Sequence, residues 1–157
     1  MVGNDTLTVS ELEHTAREWL FDCQYRQHSP KTIANRRMFL DKLLWFLKEH
    51  GYTHCGVPEL RRFFAYLTTA HESEAGRWGS AGRCNSARRP VRPRTVKDYH
   101  GHLRAYFNWC VGEGFLECSP MERIAVPIAR SDQIQPFTLE QVKLLIVAAR
   151  RTRNPQR

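Results

Sequence analysis

Residues 29–52 read SPKTIANRRMFLDKLLWFLKEHGY, and residues 92–115 read RPRTVKDYHGHLRAYFNWCVGEGF. The second stretch echoes the first sixty-three positions later. Pro30 matches Pro93, Lys31 matches Arg94, Thr32 matches Thr95 and Ile33 matches Val96. Further along, Leu40 meets Leu103, Leu44 meets Phe107, Phe46 meets Trp109, and Gly51-Tyr52 meets Gly114-Phe115. Each copy predicts one helix, because Pro suits a first turn whose N–H has no partner and Gly suits the position just past the end. Both copies put a cation and a hydroxyl in that first turn, where free backbone N–H groups and the helix dipole favour an anion. The pair reads as two helices that hold a polyanion; the alternative is two ordinary amphipathic helices with matching caps.

Charge supports the first reading. The chain has 24 Lys+Arg against 16 Asp+Glu, a net +8. Arg77, Arg83, Arg88, Arg89, Arg92, Arg94, Lys97 and Arg104 fall in one window, opposed only by Asp98, for a net +7. Residues 1–30 carry Arg17 and Arg26 against five acids. So lopsided a field draws a nucleic acid to one face, chiefly by releasing phosphate counterions. An anionic membrane surface is the rival target, but the window lacks the apolar stripe of a helix lying on a membrane.

A chain of 157 residues can bury one sizeable core. No apolar run has the length of a membrane span, and the acidic, polar N-terminus does not read as a signal peptide. The five cysteines (Cys23, Cys55, Cys84, Cys110 and Cys118) include no C-x-x-C pair, and Cys23 and Cys110 fall on apolar helix faces. A zinc site is therefore not expected, nor any other metal or cofactor, and the expected compartment is the reducing cytoplasm.

The rest of the pattern is helix after helix, an all-α bundle of four to five. Thr8-Val9-Ser10-Glu11 is a capping box before Leu12, Ala16, Trp19, Leu20 and Cys23. The second helix buries Ile33, Leu40, Leu43, Leu44 and Leu47, and a third, from about Pro58 to Thr69, buries Leu60, Phe63, Phe64 and Leu67. Residues 72–92 form a Gly/Ser/Arg loop, long enough for a compact domain to be functional or disordered. Ser119 caps a short helix with Pro120 in its first position. Residues 126–136 read as a linker, and Thr138-Leu139-Glu140-Gln141 caps a last helix. No period-2 strand is expected. The division is 1–125 for the bundle and 126–157 for the linker and the last helix.

The second copy separates its faces. At about 100° per residue, Val96, Tyr99, Leu103, Tyr106, Phe107 and Cys110 cluster on one side. Lys97, His100, Gly101, Arg104 and Asn108 cluster on another, where they could meet phosphates and base edges in a major groove; a merely solvated polar face is the alternative. In the first copy Lys31, Thr32, Asn35 and Arg36 take the equivalent part, with Lys42 and Arg37 less firmly placed. Arg88, Arg89 and Arg92 lead into the second copy, which opens with Arg94 and Thr95.

Here the chain resembles a family. S-P-K-T-I with its apolar followers, P-R-T-V before L-R-A-Y-F-N-W, and G-E-G-F-L-E-C-S-P are similar to the core-binding domain of tyrosine recombinases, such as phage integrases and Xer-type recombinases. Ser119 stands where the family commonly has Asn. V-P-I-A-R and P-F-T-L-E-Q-V-K-L-L-I resemble its interdomain linker and the first helix of its catalytic domain. The resemblance implies a SAM-like helical domain that clamps one side of duplex DNA with its second and fourth helices. It implies other recombinase protomers as partners on DNA, and a monomer for this stretch alone.

The family's catalytic tyrosine, arginines, lysine and histidines lie beyond the linker, so the chain as given is not expected to be an enzyme. Its last tyrosine is Tyr106, inside the second copy, and its one H-x-x-R, His14 to Arg17, lies in the first helix. Ending in RRTRNPQR, it reads as a piece of a longer recombinase, with residues 126–157 holding the linker and the truncated start of the catalytic domain. Two other classes stay open: a stand-alone helical DNA-binding regulator, and a protein–protein module whose basic loop meets an acidic partner.

Overall fold

The computed structural model describes residues 5–73, 75–79, 88–128 and 137–152, the last three of these in backbone only. The capping box forms as its sequence requires. Thr8 Oγ1 accepts from Glu11 N–H, and the Glu11 carboxylate accepts from Thr8 N–H at 2.8 Å, which holds the Glu11 carboxyl below its ordinary pKa. Helix α1 then runs Val9–Tyr25. Just ahead of it Leu7–Thr8 (β1) pairs antiparallel with His54–Cys55 (β2), Leu7 opposite Cys55. This two-residue ladder is the one departure from all-α among the described residues, and it is too short to have a period.

The repeat becomes two helices of equal length. Helix α2 spans Pro30–Glu49 and α4 spans Pro93–Gly112, twenty residues each, both with Pro in the first turn. Their ends are built alike. Tyr52 N–H donates to Leu47 O at 2.9 Å and Gly51 N–H to Lys48 O at 3.1 Å; Phe115 N–H donates to Cys110 O and Gly114 N–H to Val111 O at the same two distances. These are Schellman closures, which need a left-handed residue at the glycine. Gly51 and Gly114 have φ of 68° and 80°. Even the aromatic staples correspond, with Phe46–Tyr52 at 5.7 Å and Trp109–Phe115 at 5.9 Å.

Helix α3, Val57–Thr68, lies between the copies in sequence and buries Leu60, Phe63 and Leu67. Beyond α4 a single 3-10 turn, Pro120–Arg123, replaces the expected short α-helix. Ser119 does not cap it: its hydroxyl is buried without a partner among the described residues. Helix α5, Leu139–Thr152, opens on the expected box, Gln141 N–H to Thr138 Oγ1 at 3.3 Å and Thr138 N–H to Gln141 Oε1 at 3.0 Å. Of the linker, residues 129–136 lie outside the described residues.

The core runs from Leu7 to Met121 and takes residues from α1 to α4 but none from α5. Its centre on α2 differs from the expectation. Phe39 and Phe46 are buried with Leu40, Leu43 and Leu47, whereas Ile33 and Leu44 are half-buried, because the two rings point at α4 and α3. Tyr106 is fully buried, its hydroxyl 2.6 Å from Thr15 Oγ1 and its ring 5.4 Å from that of Trp19. The described cysteines Cys23, Cys55, Cys110 and Cys118 are free thiols, the first three buried.

A Cβ built on Gly51 or on Gly114 meets nothing within 4 Å. Substitution at either site therefore costs only backbone strain. Gly51→Ala and Gly114→Ala should each lose about 1–2 kcal/mol in urea unfolding, and Asn, which tolerates the left-handed region, should lose less. Unequal losses beyond the error of the measurement would contradict the equivalence of the two helix ends.

Candidate nucleic-acid interface

The two copies cross where equivalent residues meet. Phe39 of α2 stacks on His102 of α4 with ring centroids 4.7 Å apart, and sixty-three positions separate them. Phe39 also meets Tyr99 edge-on at 4.4 Å, and the reciprocal pair, Arg36 with His102, interacts electrostatically. One self-equivalent contact flanked by a reciprocal pair is the pattern of a two-fold relation. Burial, followed by Arg36, lowers the His102 pKa, so His102 enters this seam as a neutral ring.

Outward from the seam, α4 presents a row. Arg94, Lys97, Arg104 and Asn108 are exposed, as is Gly101 between them. Their spacing of three and four residues keeps them on one stripe of about 21 Å, the length of roughly six base pairs. The strap that feeds α4 adds exposed Arg88, Arg89 and Arg92. None of the six cations in row and strap makes an ion pair among the described residues, where only Arg26–Asp22 and Lys48–Glu13 do so. Cations held on one face without an ion-pair partner among the described residues repel one another and favour an anion.

The helix starts differ in one respect. Ser29 Oγ accepts from Thr32 N–H at 3.2 Å and lies 2.8 Å from Thr32 Oγ1. Thr32 is thus tied to its own cap, and both Thr32 and Thr95 are half-buried. At α4 the capping position is Arg92, which makes no side-chain cap bond. The anion-favouring character expected of both starts is therefore stronger at α4, where Arg92 and Arg94 flank N–H groups that no side chain caps.

Three expectations require correction. His100 is not on the outward face: it is 3% exposed, with Nε2 3.0 Å from Ile124 O. It precedes buried Phe107 by seven residues, which at 100° each is only about 20° away. Arg36 turns inward as well, its guanidinium 4.7 Å over the Trp19 ring and Nη1 2.8 Å from Cys23 Sγ. It precedes buried Leu43 by the same seven residues. The outward row of α2 is instead Lys31, Asn35 and Met38, all exposed, followed by Lys42. Lys42 is partly covered, Nζ lying 4.6 Å over the Trp78 ring, and burial lowers its pKa.

The third correction is in the loop. Arg77, counted with the free cations of the basic window, is 2% exposed. Trp78 meets Trp45 of α2 edge-on at 5.5 Å. Gly79 has φ 65°, and a Cβ there would stand 3.1 Å from Trp45 Cζ2. Residues 75–79 are therefore packed on the helices; residues 74 and 80–87, with Arg83 and Cys84, lie outside the described residues. The aromatic at 78 beside an arginine was the available signal, but nothing in the sequence fixed its target.

Elsewhere, a groove of about 470 Å³ lies between the ends of α1 and α4, lined by Trp19, Arg36, Asn108 and Trp109 among others. Among the described residues no three metal-ligating side chains converge, and no helix is long and apolar enough to cross a membrane. No family model, no curated protein and no solved structure matches the chain.

Proposed function

We propose that this chain is the DNA-binding part of a tyrosine-type site-specific recombinase, holding one side of duplex DNA with α2, α4 and the strap 88–92. The observation that carries the DNA reading is the exposed cationic track: Arg88, Arg89, Arg92, Arg94, Lys97 and Arg104, without a carboxylate partner among the described residues. A major groove admits an α-helix, and the α4 row offers the side chains that suit it. Arg94 and Lys97 near the helix start reach phosphates, while Arg104 and Asn108 further along have the hydrogen-bonding forks that pair with guanine and adenine edges. Gly101, with open space around its Cβ position, lets a sugar–phosphate backbone approach the helix closely.

The recombinase reading rests on motif order. Two P-[KR]-T helices, the S-P turn and a capped helix opening F-T-L-E-Q follow one another as in the family's core-binding domain and linker. Three of the tyrosines are poor nucleophiles. Tyr106 is buried and its pKa is raised by burial, Tyr99 is pushed up to about 12 by burial, and burial also raises Tyr66. Tyr99 and Tyr106 lie in the core, out of reach of a DNA phosphate. A nicked suicide duplex should accordingly yield no protein–DNA band that survives denaturing electrophoresis; such a band would overturn the assignment of binding without cleavage.

Binding itself should be weak and steep in salt. Four to six phosphate contacts give a log–log slope of roughly −4 to −5, and a flat dependence would remove the electrostatic basis. Neighbouring substitutions separate the faces. Arg104→Ala should leave the fold intact and cost about 1–3 kcal/mol on a preferred sequence. Leu103, fully buried one residue away, should on change to Ala destabilise the fold by about 2–5 kcal/mol. Retention on heparin without retention of duplex DNA would favour a module for an acidic protein partner.

A further inference from the structure

Arg77 is the least expected buried residue of the chain. Its guanidinium has no carboxylate partner among the described residues, and burial draws its pKa below the ordinary arginine value. What it does have is backbone oxygen. Nη2 donates to Thr69 O at 3.3 Å, at the end of α3, and also to Arg89 O in the strap. Its own carbonyl accepts from the Tyr66 hydroxyl. Nε has no partner among the described residues. A desolvated cation bonded, among the described residues, only to carbonyls is costly, so its location calls for a role beyond core packing.

The strap itself is pinned at two further points. His71 N–H donates to Arg88 O, and Val91 N–H donates to Leu67 O, both at 2.8 Å. The backbone of residues 88–91 is thus fastened to the end of α3 while the Arg88 and Arg89 side chains stay exposed. Those side chains repel one another and the buried guanidinium, and the strap has only Val91 to set, half-buried, against the core. Without a fixed donor beneath it, such a segment would gain entropy by coming loose.

We infer that Arg77 is a positioning residue, a buried latch whose Nη2 bridges Thr69 O and Arg89 O and holds Arg88, Arg89 and Arg92 in line with Arg94 and Lys97 as one phosphate-binding track. The inference rests on the DNA reading above and deepens it. It separates two contributions that a net-charge argument merges: the strap arginines act on phosphate directly, and Arg77 acts through them.

The test is Arg77→Lys in the full chain, which keeps the charge but ends one bond short of the Nη2 position that bridges the two carbonyls. Two quantities are measured: hydrogen exchange at the His71 and Val91 amides, and affinity for a duplex oligonucleotide at fixed salt. Loss of a charge-assisted bond should speed exchange at both amides about tenfold and weaken DNA binding by a similar factor, with exchange in α1 and α2 unchanged. A change of affinity is not expected from net charge alone. Unchanged exchange at His71 and Val91 would overturn the latch, and faster exchange with wild-type affinity would overturn its positioning role. Wild-type protein that fails to bind duplex DNA would remove the DNA reading and the positioning claim together, while the exchange data would still decide whether the latch exists. Should Arg77→Lys not fold, Tyr66→Phe, which removes only the hydroxyl on the Arg77 carbonyl, is expected to accelerate the same two amides and to weaken DNA binding in the same direction; wild-type exchange in that variant would overturn the latch.

Discussion

The contact between Phe39 and His102 sets the geometry of the whole interface. It joins the two sequence copies at equivalent positions, 4.7 Å ring to ring, so that whatever one helix presents on a given side of the crossing, the other presents by the same relation. A stacked pair of this kind contributes only about 0.5–1.5 kcal/mol beyond its burial. Its importance is geometric. Phe39 is buried and His102 half-buried, so the seam lies at the edge of the core, with the outward rows just beyond it. Slide either helix by one turn and Phe39 no longer meets Tyr99 and His102.

Electrostatics gives that surface its direction. Elsewhere the chain pairs or packs its cations: Arg26 with Asp22, Lys48 with Glu13, Arg36 over Trp19, Lys42 over Trp78 and Arg62 5.7 Å over Tyr52. The track on α4 and its strap has no such partners among the described residues. Exposed ion pairs contribute little to folding, so their absence costs the fold little. Their absence does leave the charge available, and phosphate contacts dominate the affinity of nucleic-acid binding. The aromatic cluster of Trp45, Tyr66 and Trp78, with centroids 5.5–6.5 Å apart, adjoins Arg77, whose carbonyl accepts from the Tyr66 hydroxyl and whose Nη2 donates to Arg89 O in the strap.

Most of the architecture was legible in the sequence for local reasons. Pro30, Pro93, Gly51 and Gly114 mark helix ends by backbone chemistry that needs no tertiary information, and the Thr8–Glu11 and Thr138–Gln141 boxes are equally local. The site was legible in part. Polarity alone assigns His100 and Arg36 to the outward face, yet each stands seven residues before a core position. The repeat carried the warning for one of them, since Arg36 aligns with Tyr99, an apolar-face residue. Arg77 was beyond reach: its partners Tyr66, Thr69 and Arg89 lie up to twelve positions away, and a carbonyl acceptor leaves no mark in a sequence. The two-residue ladder of β1 and β2 was hidden likewise, because two residues cannot show an alternation.

The central claim is that α4 and its strap, joined by the outward row of α2, form one DNA-binding surface. The most direct measurement is an amide chemical-shift titration of the isotopically labelled chain with a short duplex. The account predicts that the perturbed amides map to residues 88–108 and to the first turns of α2, with α1 and the buried face of α3 left in place. Perturbations confined to the groove between the ends of α1 and α4, or to α5, would contradict it.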